Sequence, residues 1–317
     1  MSLKYATIKD PHLRFGFNKP VGRSESFFDE ISAKLDYIRQ EMNNKDIKLL
    51  IIPGDILDIK APHKYTYVQI NKIIKELEKF TNDGIKILTI AGNHDLPFSS
   101  IEKKPDSIYQ FLVNNNYIIS VADDPYITDE YEIHGIDYSS PEESVFEKLD
   151  TIHAKLDTNK HNIVLMHQHF IPDGKDTLDF VSFFKYSSLT KYELVNTFIM
   201  GHLHKGYNPV FHKNKTRDQW YINQWSPVRL ARDYYSVNDK HIPTMVTYID
   251  NEFTTIELPC KSFDDSFIKM ELKNDKSFND GLDKFIKGMK GASLDTEDLI
   301  PPEEIKEKVM HYLQKHE

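Results

Sequence analysis

Five short apolar runs in the first two thirds of the chain each end at residues that can bind a metal ion. The runs are LKYATI, KLLII, IKILTIA, HNIVL and VNTFIM, and the polar groups that end them are KDPH, PGD, GNHD, MHQH and GHLH. Apolar runs of this length are typical of buried strands. Because open α/β sheets bind ligands beyond the carboxyl ends of their strands, these polar groups are predicted to share one site.

Helical patterns separate the apolar runs. One is SESFFDEISAKLDYIRQEMNN, in which Ser24 or Ser26 could cap the helix. Its apolar side chains fall on one stripe: Phe27, Phe28, Ile31, Leu35 and Ile38. A second helix is predicted in YTYVQINKIIKELEKFTNDG. Alternating strands and helices predict an α/β fold in which helices cover a sheet.

The second half of the chain has shorter strand patterns. WYINQWSP, TMVTYID and FTTIELP are predicted to form antiparallel strands of a second sheet. Residues 259–317 are charged, and FNDGLDKFIKGM and PPEEIKEKVMHYLQKH predict a small, mainly helical region. We therefore expect one domain over 1–258 and a separate C-terminal segment over 259–317.

The composition favours an intracellular, cytoplasmic protein. No apolar stretch approaches the ~20 residues needed to cross a bilayer, so no membrane association is expected. The N-terminus lacks the shape of a signal peptide, and the single cysteine, Cys260, cannot form an internal disulfide. The net charge of −9 lowers the expectation of a nucleic-acid substrate without excluding it, because phosphate contacts are local and two divalent ions would add about four positive charges.

The polar groups at the strand ends share oxygen and imidazole donors and contain no thiolate. They are Asp10, His12, Asp55, Asn93, His94, His167, His202 and His204. Such donors suit manganese, iron or zinc in a catalytic site rather than a structural thiolate zinc site. The set exceeds what one ion needs. It suits two ions ~3.5–4 Å apart that share a carboxylate and activate water for attack at phosphorus.

The order D-x-H, G-D, G-N-H-D, H and G-H-x-H resembles the signature of calcineurin-like metallophosphoesterases over residues 5–250. The resemblance implies a four-layer αββα sandwich and two divalent metal ions, with manganese favoured over iron or zinc. It also implies seven metal ligands: Asp10, His12 and His204 for one ion, Asn93, His167 and His202 for the other, and Asp55 bridging both.

Two further residues receive catalytic roles from the same resemblance. His94 would stand over the phosphate and protonate the leaving oxygen, and Asp95 would orient His94. His169 competes with His167 for the ligand position, and we favour His167 because it directly follows IVLM. For Asp58, a supporting position behind the ligands and a surface position both remain open.

Within the superfamily, the chain looks like the SbcD-type DNA repair exonucleases and their phage relatives. DPHLRFG followed by RSESFFDEI, and the block IVLMHQ, carry this resemblance, whereas the GDxxDRG and RGNHE of protein phosphatases are replaced by GDILDIKAP and AGNHD. INQWSPVRLARDY stands where that group has NPGS, with Gln-Trp in place of Pro-Gly. The resemblance implies manganese-dependent exonuclease activity on DNA in repair or recombination, with endonuclease activity left open.

Four basic residues are predicted to contact phosphate, with a solvated surface charge as the alternative for each: Arg14, Lys205, Arg229 and Arg232. The resemblance also implies that residues 1–258 are the catalytic domain, and it implies a homodimer and an SbcC-type ABC ATPase partner. Residues 259–317 would then either dock this partner or cap the site. Two other functions stay open: a small-molecule phosphodiesterase or phosphatase of the same fold, and a non-catalytic scaffold.

Overall fold

Two six-stranded sheets form the centre of the fold in a computed structural model that describes residues 3–15, 20, 22–58, 60–139, 144–175, 183–229 and 240–267. The first sheet contains β1 (Tyr5–Thr7), β2 (Leu49–Ile52), β3 (Lys86–Thr89), β4 (Ile119–Ser120), β13 (Thr244–Ile249) and β14 (Glu252–Glu257). The second contains β5 (Tyr126–Ile127), β6 (Tyr131–Ile136), β7 (His161–His167), β10 (Thr197–Gly201), β11 (Val210–His212) and β12 (Gln219–Ile222). A small parallel pair is made of β8 (Phe170–Ile171) and β9 (Phe184–Lys185).

The helices of the described residues are α1 (Phe27–Asn44), α2 (Tyr67–Asn82), α3 (Ile108–Asn114), α4 (Ser144–His153) and α5 (Phe263–Ser266). Short 3₁₀ turns span Pro62–Lys64, Pro97–Ser99, Ile101–Asp106 and Tyr186–Leu189. Helix α2 begins with a capping box, in which Thr66 and Gln69 exchange side-chain and backbone hydrogen bonds. Ser26 occupies the N-cap of α1, but its hydroxyl donates to Glu30 at 2.7 Å rather than accepting a backbone N–H.

Alternate residues of the strands pack on opposite faces and build four layers. In β2, Leu50 and Ile52 face the core beneath α1 and α2, while Leu49 and Ile51 face the core between the two sheets. In β7, Ile163 and Leu165 face that same central core, and Val164 and Met166 pack on the side of α4. The layers are thus helices, sheet, sheet and helix, which confirms the predicted αββα sandwich.

The strands near the end of the fold differ from the prediction of one antiparallel second sheet. β12 is parallel to β10, with Ile222 opposite Ile199. β13 and β14 return to the first sheet, where β13 is antiparallel to β1 and Val246 lies opposite Thr7. The alternating pattern of TMVTYID indicates a strand, but it does not say which strand it will pair with.

The compact unit that contains the site spans Met1–Phe267. Within it, Ser24 donates its N–H to the Ser266 carbonyl at 2.9 Å, so α5 is attached to the start of α1. The two helices predicted beyond residue 267 lie outside the described residues, and the division at residue 258 stays a prediction. Among the residues described, no helix combines the length and apolar character needed to cross a membrane.

Candidate metal centre

Parallel strands of both sheets bring the predicted ligands to one edge of the sandwich. Asp55 follows β2 and Asn93 follows β3, while β7 ends at His167 and β10 at Gly201, directly before His202. Gly201 lies opposite His167 in the register of the second sheet. The strand ends therefore meet as the sequence pattern predicted, with each predicted ligand buried or nearly so.

Asp55 lies between two groups of imidazoles. Its Oδ2 is 3.3 Å from His167 Nε2 and 3.7 Å from His12 Nε2. His12 Nε2 in turn lies 2.8 Å from His204 Nε2. Asp10 lies close by, with Oδ1 3.7 Å from His167 Nδ1. A carboxylate with imidazole nitrogens on both sides is the arrangement expected of a ligand shared by two ions.

The side-chain amide of Asn93 has two possible orientations. In one, Oδ1 lies 3.1 Å from both His202 Nδ1 and His167 Nε2, so three lone pairs converge when the imidazoles present unprotonated nitrogens. In the other, the amide nitrogen donates to those nitrogens and to Asp55, and Oδ1 accepts from Lys60 Nζ at 2.9 Å. The first orientation presents the amide oxygen to the imidazoles, and it is the one that would let Asn93 act as a metal ligand.

The backbone is strained where it carries the predicted ligands. Asp10, His12, Asp55 and His202 have φ values of 48°, 45°, 51° and 86°. Non-glycine residues rarely adopt this left-handed region, and such strain persists only where surrounding contacts enforce it. One such contact is the His202 N–H, which donates to both carboxylate oxygens of Asp10 at 3.1 Å.

The glycines of the motifs leave room for the ligands. A Cβ on Gly92 would lie within 3.0 Å of the Asp55 carboxylate and of the Asp55 backbone nitrogen. A Cβ on Gly201 would lie 2.7 Å from His167 Nδ1 and 2.9 Å from Asp10 Oδ1. These two positions must be glycine because the ligand side chains occupy the space of a methyl group.

The electrostatics of the cluster fit bound cations. Burial holds the pKa of His12, of His202 and of His204 below the usual value, so these imidazoles stay neutral and can act as ligands. Burial opposes the charged forms of Asp55 and His167, yet their attraction outweighs it: the pKa of Asp55 falls well below its usual value and that of His167 rises to about 9. The buried carboxylates thus draw a positive charge to His167 Nε2, and a divalent ion would replace that proton.

Two groups of described residues could each hold a metal ion, with ligand atoms within 4.8 Å of one another: Asp55, His167 and His202, and His12, Asp58 and His94. The first group consists of three predicted ligands and contains His167 rather than His169, whose ring lies tilted against that of His202 with centroids 3.9 Å apart. The second brings in Asp58. Its Oδ1 is 3.6 Å from His12 Nδ1, a buried nitrogen with no hydrogen-bond partner, so Asp58 lies behind the ligands.

His94 lies beside the cluster and remains 29% exposed. Its backbone N–H donates to Asp55 Oδ1 at 2.7 Å, and its ring packs against His12 with centroids 4.7 Å apart. Nδ1 is 2.6 Å from the Asp58 carbonyl and can only donate to it. This bond fixes the ring and leaves Nε2 as the nitrogen that can exchange a proton.

The contacts of Asp95 differ from the prediction that it orients His94. Its carboxylate accepts from the backbone N–H groups of Leu57 at 2.8 Å, Gly92 at 2.8 Å and Ile56 at 3.3 Å. Burial and the nearby Asp55 raise the pKa of Asp95 to about 8. Asp95 therefore joins the loop after β2 to the loop after β3, and the Asp58 carbonyl orients His94.

The predicted phosphate contacts lie in different environments. Arg14 reaches the edge of the site, where Nη1 donates to Asp58 Oδ2 at 2.7 Å. Lys205 is half-buried, with Nζ 5.4 Å from the centre of the Tyr207 ring. Arg229 is buried and donates to the carbonyls of His241 and Lys261, and a phosphate contact at this residue stays a prediction. Arg232 lies outside the described residues.

Sequence reasoning missed two lysines near the cluster. Lys60 approaches Asn93, as described above. Lys9 is fully buried directly before Asp10, and burial lowers its pKa to about 7 against the attraction of Asp10. A lysine in an apolar strand end gives no sign in the sequence that its side chain turns inward.

Comparison with known proteins identifies the family. The model of the calcineurin-like phosphoesterase family matches residues 8–206, a range that contains every predicted ligand. The chain belongs to this family. As a calcineurin-like phosphoesterase, it is a hydrolase that acts on phosphoester bonds, and its residue clusters are of the kind that hold a pair of metal ions.

This calcineurin-like phosphoesterase is similar to proteins named DNA double-strand break repair protein Mre11. The relative from Sulfurisphaera tokodaii is 28% identical over 51% of this chain and 39% of its own length. The relative from Methanocaldococcus jannaschii is 21% identical over 89% of this chain and 73% of its own length. A dimetal phosphatase from Danio rerio superposes with a TM-score of 0.49 and 11% identity, covering 82% of this chain and 96% of that one.

Proposed function

We propose that the protein is a two-metal DNA phosphodiesterase, a manganese-dependent exonuclease of the SbcD type that acts in DNA repair or recombination. The observation that carries the proposal is the convergence of carboxylate, amide and imidazole atoms around Asp55, with a partly exposed His94 beside them. The choice of DNA is supported by the DPHLRFG resemblance and by the names of the Mre11 relatives.

In this proposal Asp10, His12 and His204 would hold one ion, Asn93, His167 and His202 would hold the other, and Asp55 would contribute to both. When bound, the two ions would polarise the phosphodiester and lower the pKa of the attacking water. Manganese suits the mixed oxygen and imidazole donors and the absence of thiolate among them.

The residues of the chain supply orientation and proton transfer. Asp58 holds the imidazole of His94 through its carbonyl, so Nε2 can give its proton to the leaving sugar oxygen. Arg14, paired with Asp58 at the edge of the site, and Lys205 would contact phosphates on either side of the cleaved bond.

A test compares cleavage of end-labelled duplex and single-stranded DNA in Mn²⁺ by the wild type and by His94→Ala. Loss of a general acid costs about 10²–10⁴-fold in rate, and the bound Mn²⁺ should stay the same because His94 is outside the proposed ligand set. A rate that is unchanged in His94→Ala would contradict the mechanism.

The second candidate is a small-molecule phosphodiesterase of the same fold. It is favoured by the net charge of −9 and by Arg229, whose hydrogen bonds to backbone carbonyls leave fewer cations for a DNA backbone. Hydrolysis of a bis-aryl phosphodiester that requires His94, without cleavage of either DNA, would select this candidate.

We also propose a homodimer and an SbcC-type ABC ATPase partner that binds residues 259–317. Deletion of residues 276–317 should spare Mn²⁺ binding and abolish association with the ATPase. Association that survives this deletion would exclude residues 276–317 as the docking site.

A further inference from the structure

Lys9 has an unusual position for a lysine. Its side chain is fully buried, and its hydrogen-bond partners among the described residues are two backbone carbonyls and one amide oxygen. Nζ donates to the carbonyl of Leu203, to the carbonyl of Lys205 at 3.1 Å and to Asn223 Oδ1. Burying an amine is costly, so the contacts it makes there need an explanation beyond packing.

The two carbonyls lie in the loop that carries His202 and His204. Leu203 lies between these two predicted ligands, and Lys205 follows the second. The amine of Lys9 therefore contacts the loop on both sides of His204, while the backbone of Lys9 continues directly into Asp10. One side chain thus connects ligands that are far apart in the sequence.

The segment after β12 completes the connection. Asn223 accepts from Lys9 and donates through Nδ2 to the Phe170 carbonyl at 2.9 Å. Ser226 donates through Oγ to the Asp10 carbonyl at 2.9 Å and through its N–H to the His204 carbonyl at 3.3 Å. Asn223 and Ser226, the first and last residues of NQWS, thus contact Lys9, Asp10 and the loop of His204.

We propose that Lys9 is a positioning residue for the metal centre: it fixes the loop of His202 and His204 relative to Asp10. The inference rests on the proposed two-metal function. It predicts the direction in which replacement of Lys9 changes the affinity for metal. A positive side chain beside the site would repel cations, so its removal would strengthen metal binding if charge were its main effect. Loss of the loop contacts would weaken metal binding instead.

The test measures Mn²⁺ binding by titration calorimetry and by the electron paramagnetic resonance spectrum of the bound ion. Removal of a group that orients ligands typically weakens metal binding 10–100-fold, and we expect this for Lys9→Met. Lys34→Met is the matched control, because Lys34 is also buried and donates to a backbone carbonyl, that of Pro227 at 2.8 Å, without contacting the ligand loop. The control should bind Mn²⁺ as the wild type does.

A second pair of variants keeps Lys9 in place. Asn223→Leu removes the acceptor of Lys9 and should weaken Mn²⁺ binding, whereas Asn223→Asp keeps that acceptor, loses only the donor to the Phe170 carbonyl, and should weaken binding less. Mn²⁺ binding that is equal or tighter in Lys9→Met and in Asn223→Leu would overturn the inference while leaving the proposed function standing. A wild type that binds no Mn²⁺ would overturn the proposed function and this inference with it.

Discussion

Gly92 shows how closely the loops of the site approach each other. The hydrogen of this glycine points at the carboxylate of Asp55, and a methyl group would overlap it. We therefore expect Gly92→Ala to displace Asp55 and to abolish tight Mn²⁺ binding, measured by calorimetry, while the secondary structure seen by circular dichroism is kept.

The matched control is Gly84→Ala. Gly84 has a φ of +73°, and no atom lies within 4 Å of the position that a methyl group would take, so alanine there strains only the backbone. Such a change costs roughly 1 kcal/mol of stability and should leave Mn²⁺ binding intact. Equal Mn²⁺ affinities in both variants would contradict the overlap at Gly92.

Single residues differ in how far their roles can be predicted. His167 was recognisable because it follows an apolar run directly, and its position at the end of β7 follows from that pattern. Arg229 and Asp95 make hydrogen bonds to backbone groups that their motifs do not indicate, among them the His241 carbonyl and the Leu57 N–H. Whether a charged side chain meets a carbonyl or solvent depends on packing that spacing alone does not reveal.

At the scale of elements, Arg23 connects the start of α1 with Phe267, the residue directly after α5. Its guanidinium is 2% exposed, donates to Glu30 at 2.8 Å and lies between the rings of Phe27 and Phe267, 4.9 and 4.8 Å from their centres. Arg23→Met would leave Glu30 buried without this partner, so the free energy of unfolding in urea should fall by about 3 kcal/mol.

Arg39→Met is the comparison for this prediction. Arg39 pairs with Asp83 at the surface, where solvent screens the interaction, and its loss should change stability far less. The double variant Arg23→Met/Glu30→Met should recover part of the lost stability. If Arg23→Met lowers the free energy of unfolding no more than Arg39→Met does, the buried pair of Arg23 and Glu30 does not stabilise the fold as proposed.

Elements also differ in predictability. Helix α2 follows from its capping box and apolar stripe, which are local signals. The sheet that β13 joins cannot be predicted from local signals, because Val246 and Tyr248 would suit the inner face of either sheet. In the fold, the ring of Tyr5 in β1 stacks on that of Tyr248 in β13 with centroids 5.0 Å apart.

At the scale of the whole molecule, His161 links stability to pH. Burial, helped by Arg217, lowers its pKa to about 4, whereas an imidazole in the unfolded chain titrates near 6.5. The unfolded state therefore binds a proton first, and stability falls as the pH drops from about 6.5 to about 4, by at most about 3 kcal/mol.

His161→Gln should remove this contribution. Urea unfolding at pH 8 and at pH 4.5 measures the contribution of His161 to the free energy of unfolding. Between these two pH values, the variant should lose about 2 kcal/mol less stability than the wild type. The other acid-sensitive groups are common to both proteins. The same pH difference in both would show that His161 does not stay neutral in the folded state.

The pairing of β1 with β13 also sets when the protein can fold during its synthesis. Thr7 can pair with Val246, its partner in the first sheet, only after Val246 has been synthesised. A ribosome that adds about 5–20 residues per second needs roughly ten to fifty seconds to make the chain between them. Until then β1 presents an unpaired edge to solvent or to a chaperone, although Leu203 and Asn223, the partners of Lys9, precede β13 in the chain. A nascent chain that stalls before β13 would therefore contain every predicted ligand while the strand that leads into Asp10 still lacks its neighbour in the first sheet.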